Sequence, residues 1–174
     1  MRPVAQRFRE TFTHQGGWQF NATLQPIRDM KLYADDYFPV RQILRIFYDP
    51  GVKAGDIIIE KSGQRYLLGE LDLRQGLYTS FRVYPLNQKV MWSREVEVID
   101  SLTGEPRGNG KQNLGEIWIA SEIISREARG SHVLVKEEVK RVLTGSAVKL
   151  NDFLGNERVV KANPALGIQM LEVV

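Results

Sequence analysis

At 174 residues, with 43% hydrophobic and 26% charged residues, the chain is long enough to bury a proper core and is not disordered in composition. It has no cysteine, which excludes a disulfide framework, thiolate metal sites and cysteine nucleophiles. A balance of 24 Lys and Arg against 21 Asp and Glu leaves a formal charge of +3, without the clustered basic excess of a dedicated nucleic-acid binder.

Met1 to Gly17 reads as a polar, basic-leaning arm closed by the glycine pair before Trp18. A short helix over Val4 to Thr11 and a tail that orders on assembly are its two readings. No apolar run in it serves as a signal peptide, and no later stretch approaches the ~18 apolar residues of a membrane helix, so a soluble, unexported chain is expected. "WQFNATLQPI" alternates Trp18, Phe20, Ala22 and Leu24 with polar residues, the period of a half-buried strand that ends at Pro26. A strand from Gln42 to Tyr48 follows, bounded by Asp49-Pro50-Gly51.

"GVKAGDIIIEKSGQRYLLGELD" then predicts a hairpin, with Gly55-Asp56 opening the first strand and Ser62-Gly63-Gln64 turning the chain. "LYTSFRVYPL" and "VMWSREVEVID" are two further strands. Ser101 to Gly115, dense in Gly, Asn and Pro, reads as a long loop on a protruding β-arm, and "EIWIASEII" returns from it. "SREARGSHVLVKEEVKRVL" is assigned as strand, and "RVVKAN" and "IQMLEVV" close the chain around the bend "PALG". The expected fold is mainly β: a small antiparallel barrel or sandwich with an extended N-terminal arm over residues 1–17, one β domain over 18–174 and a protruding loop over 101–115. No internal repeat is apparent.

The candidate chemistry is thin. "GEPRGNGK" fails as a phosphate loop, because Glu105 stands where its first glycine belongs and Gln112 where a magnesium-binding Ser or Thr belongs. Gly108-Asn109-Gly110 has Asn113 where a dinucleotide fingerprint needs a third glycine. Ser146 and Lys149 have the spacing of a nucleophile pair but sit in β context, where positions three apart face opposite ways. His14 and His132 are the only histidines and lie far apart in the chain. The acidic pairs Asp35-Asp36 and Glu137-Glu138 read as solvated charge. No catalytic, cofactor or metal residue is therefore assigned, and the chain is read as a non-enzyme. Arg107 and Lys111 are the one place where basic residues, glycines and exposure coincide, and they are the candidate contacts to DNA or a channel.

Two segments, "GVKAGDIIIEKSGQRYLLGELD" and "VKLNDFLGNERVVKANPALGIQMLEV", carry a resemblance. The former is similar to the recurrent hairpin of tailed-bacteriophage head-closure, or stopper, proteins through Gly55, Asp56, Gly63 and Tyr66. The latter resembles the closing segment of phage neck proteins, with Asn163-Pro164-Ala165-Leu166-Gly167. The resemblance implies a β-barrel protomer that forms a ring in the virion neck, between a portal or adaptor on the head side and a tail terminator or tail tube on the other. It would retain packaged double-stranded DNA, need no cofactor and no membrane, and pass through the host cytoplasm during assembly. The chain is longer than compact members of that group, which leaves two alternatives, an added subdomain or another place in the virion such as the tail tube or baseplate. The alternative from the residues alone is an OB- or SH3-like module that binds nucleic acid or protein, with Tyr78, Phe81 and Tyr84 as a stacking face.

Overall fold

The computed structural model describes residues 10–27, 38, 42–47, 51–75, 78–129, 134–165 and 167–174. Among them all regular structure is β, in two closed antiparallel barrels. The first barrel holds β1 (Glu10–His14), β2 (Gln19–Pro26), β3 (Gln42–Phe47), β4 (Ile57–Glu60), β5 (Arg65–Gln75) and β6 (Tyr78–Leu86). The second holds β7 (Gln88–Ile99), β8 (Pro106–Arg129), β9 (Leu134–Thr144), β10 (Phe153–Leu154), β11 (Glu157–Ala165) and β12 (Ile168–Val173). Closure removes the sheet edges that would otherwise invite aggregation.

The barrels share one topology. Around the first the strands run β1-β2-β3-β6-β5-β4, and around the second, read from β7, they run β7-β8-β9-β12-β11-β10. The registers match as well: His14 faces Ile58 as Trp92 faces Leu154, Ile58 faces Tyr66 as Leu154 faces Glu157, and Leu68 faces Val83 as Val159 faces Val173. A β-bulge follows Leu68 in β5 and Val159 in β11, the same place in each barrel, where it helps the sheet curl to closure. All eight buried residues of the second core, Ile117, Ile119, Val142, Val148, Leu154, Val159, Leu171 and Val173, stand where Phe20, Ala22, Leu44, Val52, Ile58, Leu68, Phe81 and Val83 stand in the first. The chain is thus two copies of one barrel, which corrects the reading that it holds no repeat.

Between the barrels lies a third apolar cluster, with Leu67, Tyr84 and Leu86 from the first packed on Ala120, Leu143 and Ile168 from the second. This explains the unbroken run Tyr66-Leu67-Leu68: Tyr66 and Leu68 fill the first barrel while Leu67 points the other way into the seam. The linker is Asn87 alone. Its N–H donates to Ile119 O at 3.1 Å, its amide donates to Ser121 O, and its side-chain oxygen accepts from Ser121 N–H. Where the seam is tightest no side chain fits. A Cβ on Gly55 would lie 2.4 Å from Gly167 O, and one on Gly145 would lie 2.5 Å from Gly55 O.

Two boundaries differ from expectation. Residues 1–9 of the expected arm lie outside the described residues, and Glu10–His14 are β1, held by β2 on one side and β4 on the other. Ser101 to Gly115 is mostly strand: only the turn before Pro106 is loop, and β8 pairs with β7 from Ile99↔Pro106 inward. Gly108 and Gly115 sit at register shifts in that pairing, so their positive φ marks bulges and not a loop.

Candidate functional site

Each barrel is locked by the same turn. Val52-Lys53-Ala54-Gly55-Asp56 and Val148-Lys149-Leu150-Asn151-Asp152 both place a left-handed residue, Gly55 at φ 91° or Asn151 at φ 69°, before the aspartate. Asp56 Oδ2 accepts from Lys53 N–H at 2.9 Å, and Asp152 Oδ2 from Lys149 N–H at 2.8 Å. The next strand then starts with matching bonds, Gly55 N–H to Leu68 O and Asn151 N–H to Val159 O. A ring nitrogen from the first strand of the barrel meets each carboxylate. Trp92 Nε1–H donates to Asp152 at 2.8 Å, and His14 Nε2 stands 3.2 Å from Asp56, out of line for a hydrogen bond. Gly16 N–H donates to His14 Nδ1, and Trp18 stacks on the imidazole at 4.5 Å.

Asp152 has one partner more. Arg94 grips it with Nε–H to Oδ1 at 2.6 Å and Nη2–H to Oδ2 at 2.8 Å, the bidentate fork that suits a carboxylate. Burial pushes the Asp152 carboxyl up, but the bonds from Arg94, Lys149 N–H and Trp92 outweigh it and hold the carboxyl below its ordinary value. The Asp152 bond raises Arg94 in turn. In these structural clasps the donors around Asp152 are all engaged in holding the fold, whereas His14 Nε2 stands beside Asp56 without a hydrogen bond.

The residues that carry the family resemblance are accounted for in the same way. Gly55 makes the seam, Asp56 the clasp, and Gly63 the turn at φ 91° with open space around it. Tyr66 fills the first core with its hydroxyl donated to Glu60 at 3.2 Å, and burial with the Glu60 charge pushes it up to about 12.

Past Ser93, the last β7 residue paired with β10, β7 and β8 pair only with each other and run on as a two-stranded ribbon. Arg107 and Lys111 both lie on it and are not brought together. Arg107 pairs with Asp100 across the turn at 2.5 Å, and Lys111 Nζ sits 3.8 Å from the Phe153 ring centroid, against the barrel. Asp100 is lowered by the Leu102 N–H first of all, and the Arg107 bond adds to it. The outstanding property of the ribbon is one that charge counting missed, its apolar tip: Ile99 is 60% and Leu102 92% exposed, with Glu97 and Glu105 beside them. Leu102 between Thr103 and Ser101 was the signal for it.

The expected stacking face is not formed. Phe81 is buried in the first core and Tyr84 in the seam, where it meets Phe38 edge-on, while Tyr78 carries Arg45 over its ring at 5.5 Å. Their alternation reflects two cores on the two sides of β6. Ser146 to Lys149 is a turn whose Lys149 N–H serves Asp152. His132 and Asp35-Asp36 lie outside the described residues, and no group of three metal-ligating side chains occurs among the described ones. No family model, curated protein or solved structure matches the chain.

Proposed function

We propose that this protein is a structural joining component of a tailed-phage neck, one that assembles into a ring between head and tail and helps retain packaged DNA. One observation carries the reading. A turn that ends in an aspartate and opens a hairpin stands in both segments that carry the resemblance, in the same topological place of two equivalent barrels, with Asn151 for Gly55 and Glu157 for Tyr66 in the second. The two segments that resemble neck proteins in sequence thus both begin with that turn and hairpin.

The architecture suits a part under mechanical load. Within each closed barrel the strands pair all the way round, the Gly55–Gly167 seam and the Asn87 linker fix one barrel on the other, and the ribbon reaches outward to neighbours. Its partners in this reading are further copies of itself, a portal or adaptor, and a tail terminator or tube. The test is deletion of its coding sequence from the phage genome. Filled heads that lack tails and leak DNA are expected; normal yields of tailed, infectious particles would overturn the reading.

A further inference from the structure

We infer that the ribbon tip of one molecule docks on the β11–β12 face of the second barrel of another copy of this chain. The equivalence of the barrels identifies that face. In the first barrel Ile57, Leu67 and Tyr84, with the Ala54 backbone, make the seam against the second barrel. Their counterparts in the second barrel are Phe153, Arg158, Val174 and Leu150. Here no barrel covers them: Lys111 of the ribbon lies on Phe153, but Val174 is 75%, Leu150 54% and the bulge residue Val160 46% exposed. These residues adjoin, since Arg158 and Val174 exchange backbone hydrogen bonds and Asn151, next to Leu150, donates to Val159.

A repeat of the seam cannot cover this face. Asn151 carries a Cβ where Gly55 must have none, so a whole barrel cannot approach as closely. A narrow apolar body can, and the chain supplies one in the ribbon tip, with Ile99 and Leu102 exposed. Charge matches too, because exposed Glu97 and Glu105 flank the tip and exposed Lys149 and Arg158 flank the face. The tip cannot serve its own barrel. It stands about 20 Å beyond Ser93 at ~3.3 Å per residue, on a ribbon whose pairing would have to break for it to fold back. Tip on face is a heterologous contact, which propagates into a closed ring or a filament. This deepens the neck reading by naming the contact between subunits, although its test needs only the purified protein.

The absence of cysteine makes the test direct. Leu102→Cys and Val160→Cys proteins, prepared separately with tags of different mass and checked for unchanged melting, are mixed and treated with a short bismaleimide. The Leu102–Val160 heterotypic product should dominate both homotypic ones. By sedimentation, Lys149→Glu with Arg158→Glu should weaken self-association by about tenfold or more, and Glu97→Lys with Glu105→Lys on the second partner should restore it. Homotypic products in equal yield, a monomer at every concentration to about 1 mM, or charge reversals without effect would each overturn the proposal. Association that persists without the heterotypic product would overturn this contact alone and leave the neck reading standing.

Discussion

Gly55 lies so close to Gly167 that a Cβ built on it would stand 2.4 Å from the Gly167 carbonyl oxygen, and this contact sets how the two barrels meet. Gly63 has the same φ of 91° with nothing within 4 Å, so the pair separates backbone strain from crowding. Gly63→Ala should cost about 1–2 kcal/mol, the left-handed penalty alone. Gly55→Ala should cost about 2–5 kcal/mol, since overpacking against backbone is added. Urea unfolding of both variants measures the difference.

The two clasps should differ in strength although they share a place in the barrel. Asp152→Asn removes the charge that Arg94 grips with two bonds, and because Arg94 is about one-third exposed and can turn to water, a loss of about 2 kcal/mol is expected. Asp56→Asn keeps an amide oxygen to accept from Lys53 N–H and gives up only the charge, so it should cost about 1 kcal/mol or less. Equal losses in chemical denaturation would refute the assignment of the extra stability to Arg94.

Acid should act through the stronger clasp. The carboxyl of Asp152 is held below its unfolded value, so the stabilisation it contributes is complete above about pH 4 and is lost as pH falls through the folded value. Stability measured from pH 6 downward should therefore decline below about pH 4, and the decline should be shallower in Asp152→Asn.

Alkali acts with the opposite sign on Tyr66. Its phenol is pushed up to about 12 by burial and by Glu60, so the neutral form is favoured in the folded chain. That contribution is complete below the unfolded value near 10 and disappears as pH rises to about 12. Tyr66→Phe should flatten the stability profile between those limits, as followed by urea midpoints across the range.

Much of the strand layout was legible because half-buried strands announce themselves by period. β2 and β6 fall inside segments whose two faces alternate, and β3, β4 and β12 inside segments marked by β-branched and aromatic residues between turns. The duplication was hidden because a barrel asks only for an apolar residue at each inward position, and Phe20 and Ile117, or Phe81 and Leu171, satisfy that equally. Hairpins of unequal length obscure it further: the chain turns between Glu60 and Arg65 in one barrel and at Gly155-Asn156 in the other. "VKAGD" and "VKLND" were the residual signature, since the clasp needs a left-handed residue before an aspartate. The ribbon was misjudged because Gly108, Gly110 and Gly115 have the composition of a loop. Two of them accommodate bulges, and a Cβ on Gly110 would stand 2.7 Å from the Val98 side chain. The basic pair Arg107 and Lys111 stood out by composition, whereas only the folded chain reveals that Asp100 and Phe153 engage them.

The neck reading is tested most directly by cryo-electron microscopy of intact phage particles at the joint between head and tail. A ring there into which the tandem barrels fit, with each chain contributing both of its six-stranded barrels, is the predicted result. Tailed particles whose joint is fully explained by other proteins, with this chain absent from the purified virion, would contradict it.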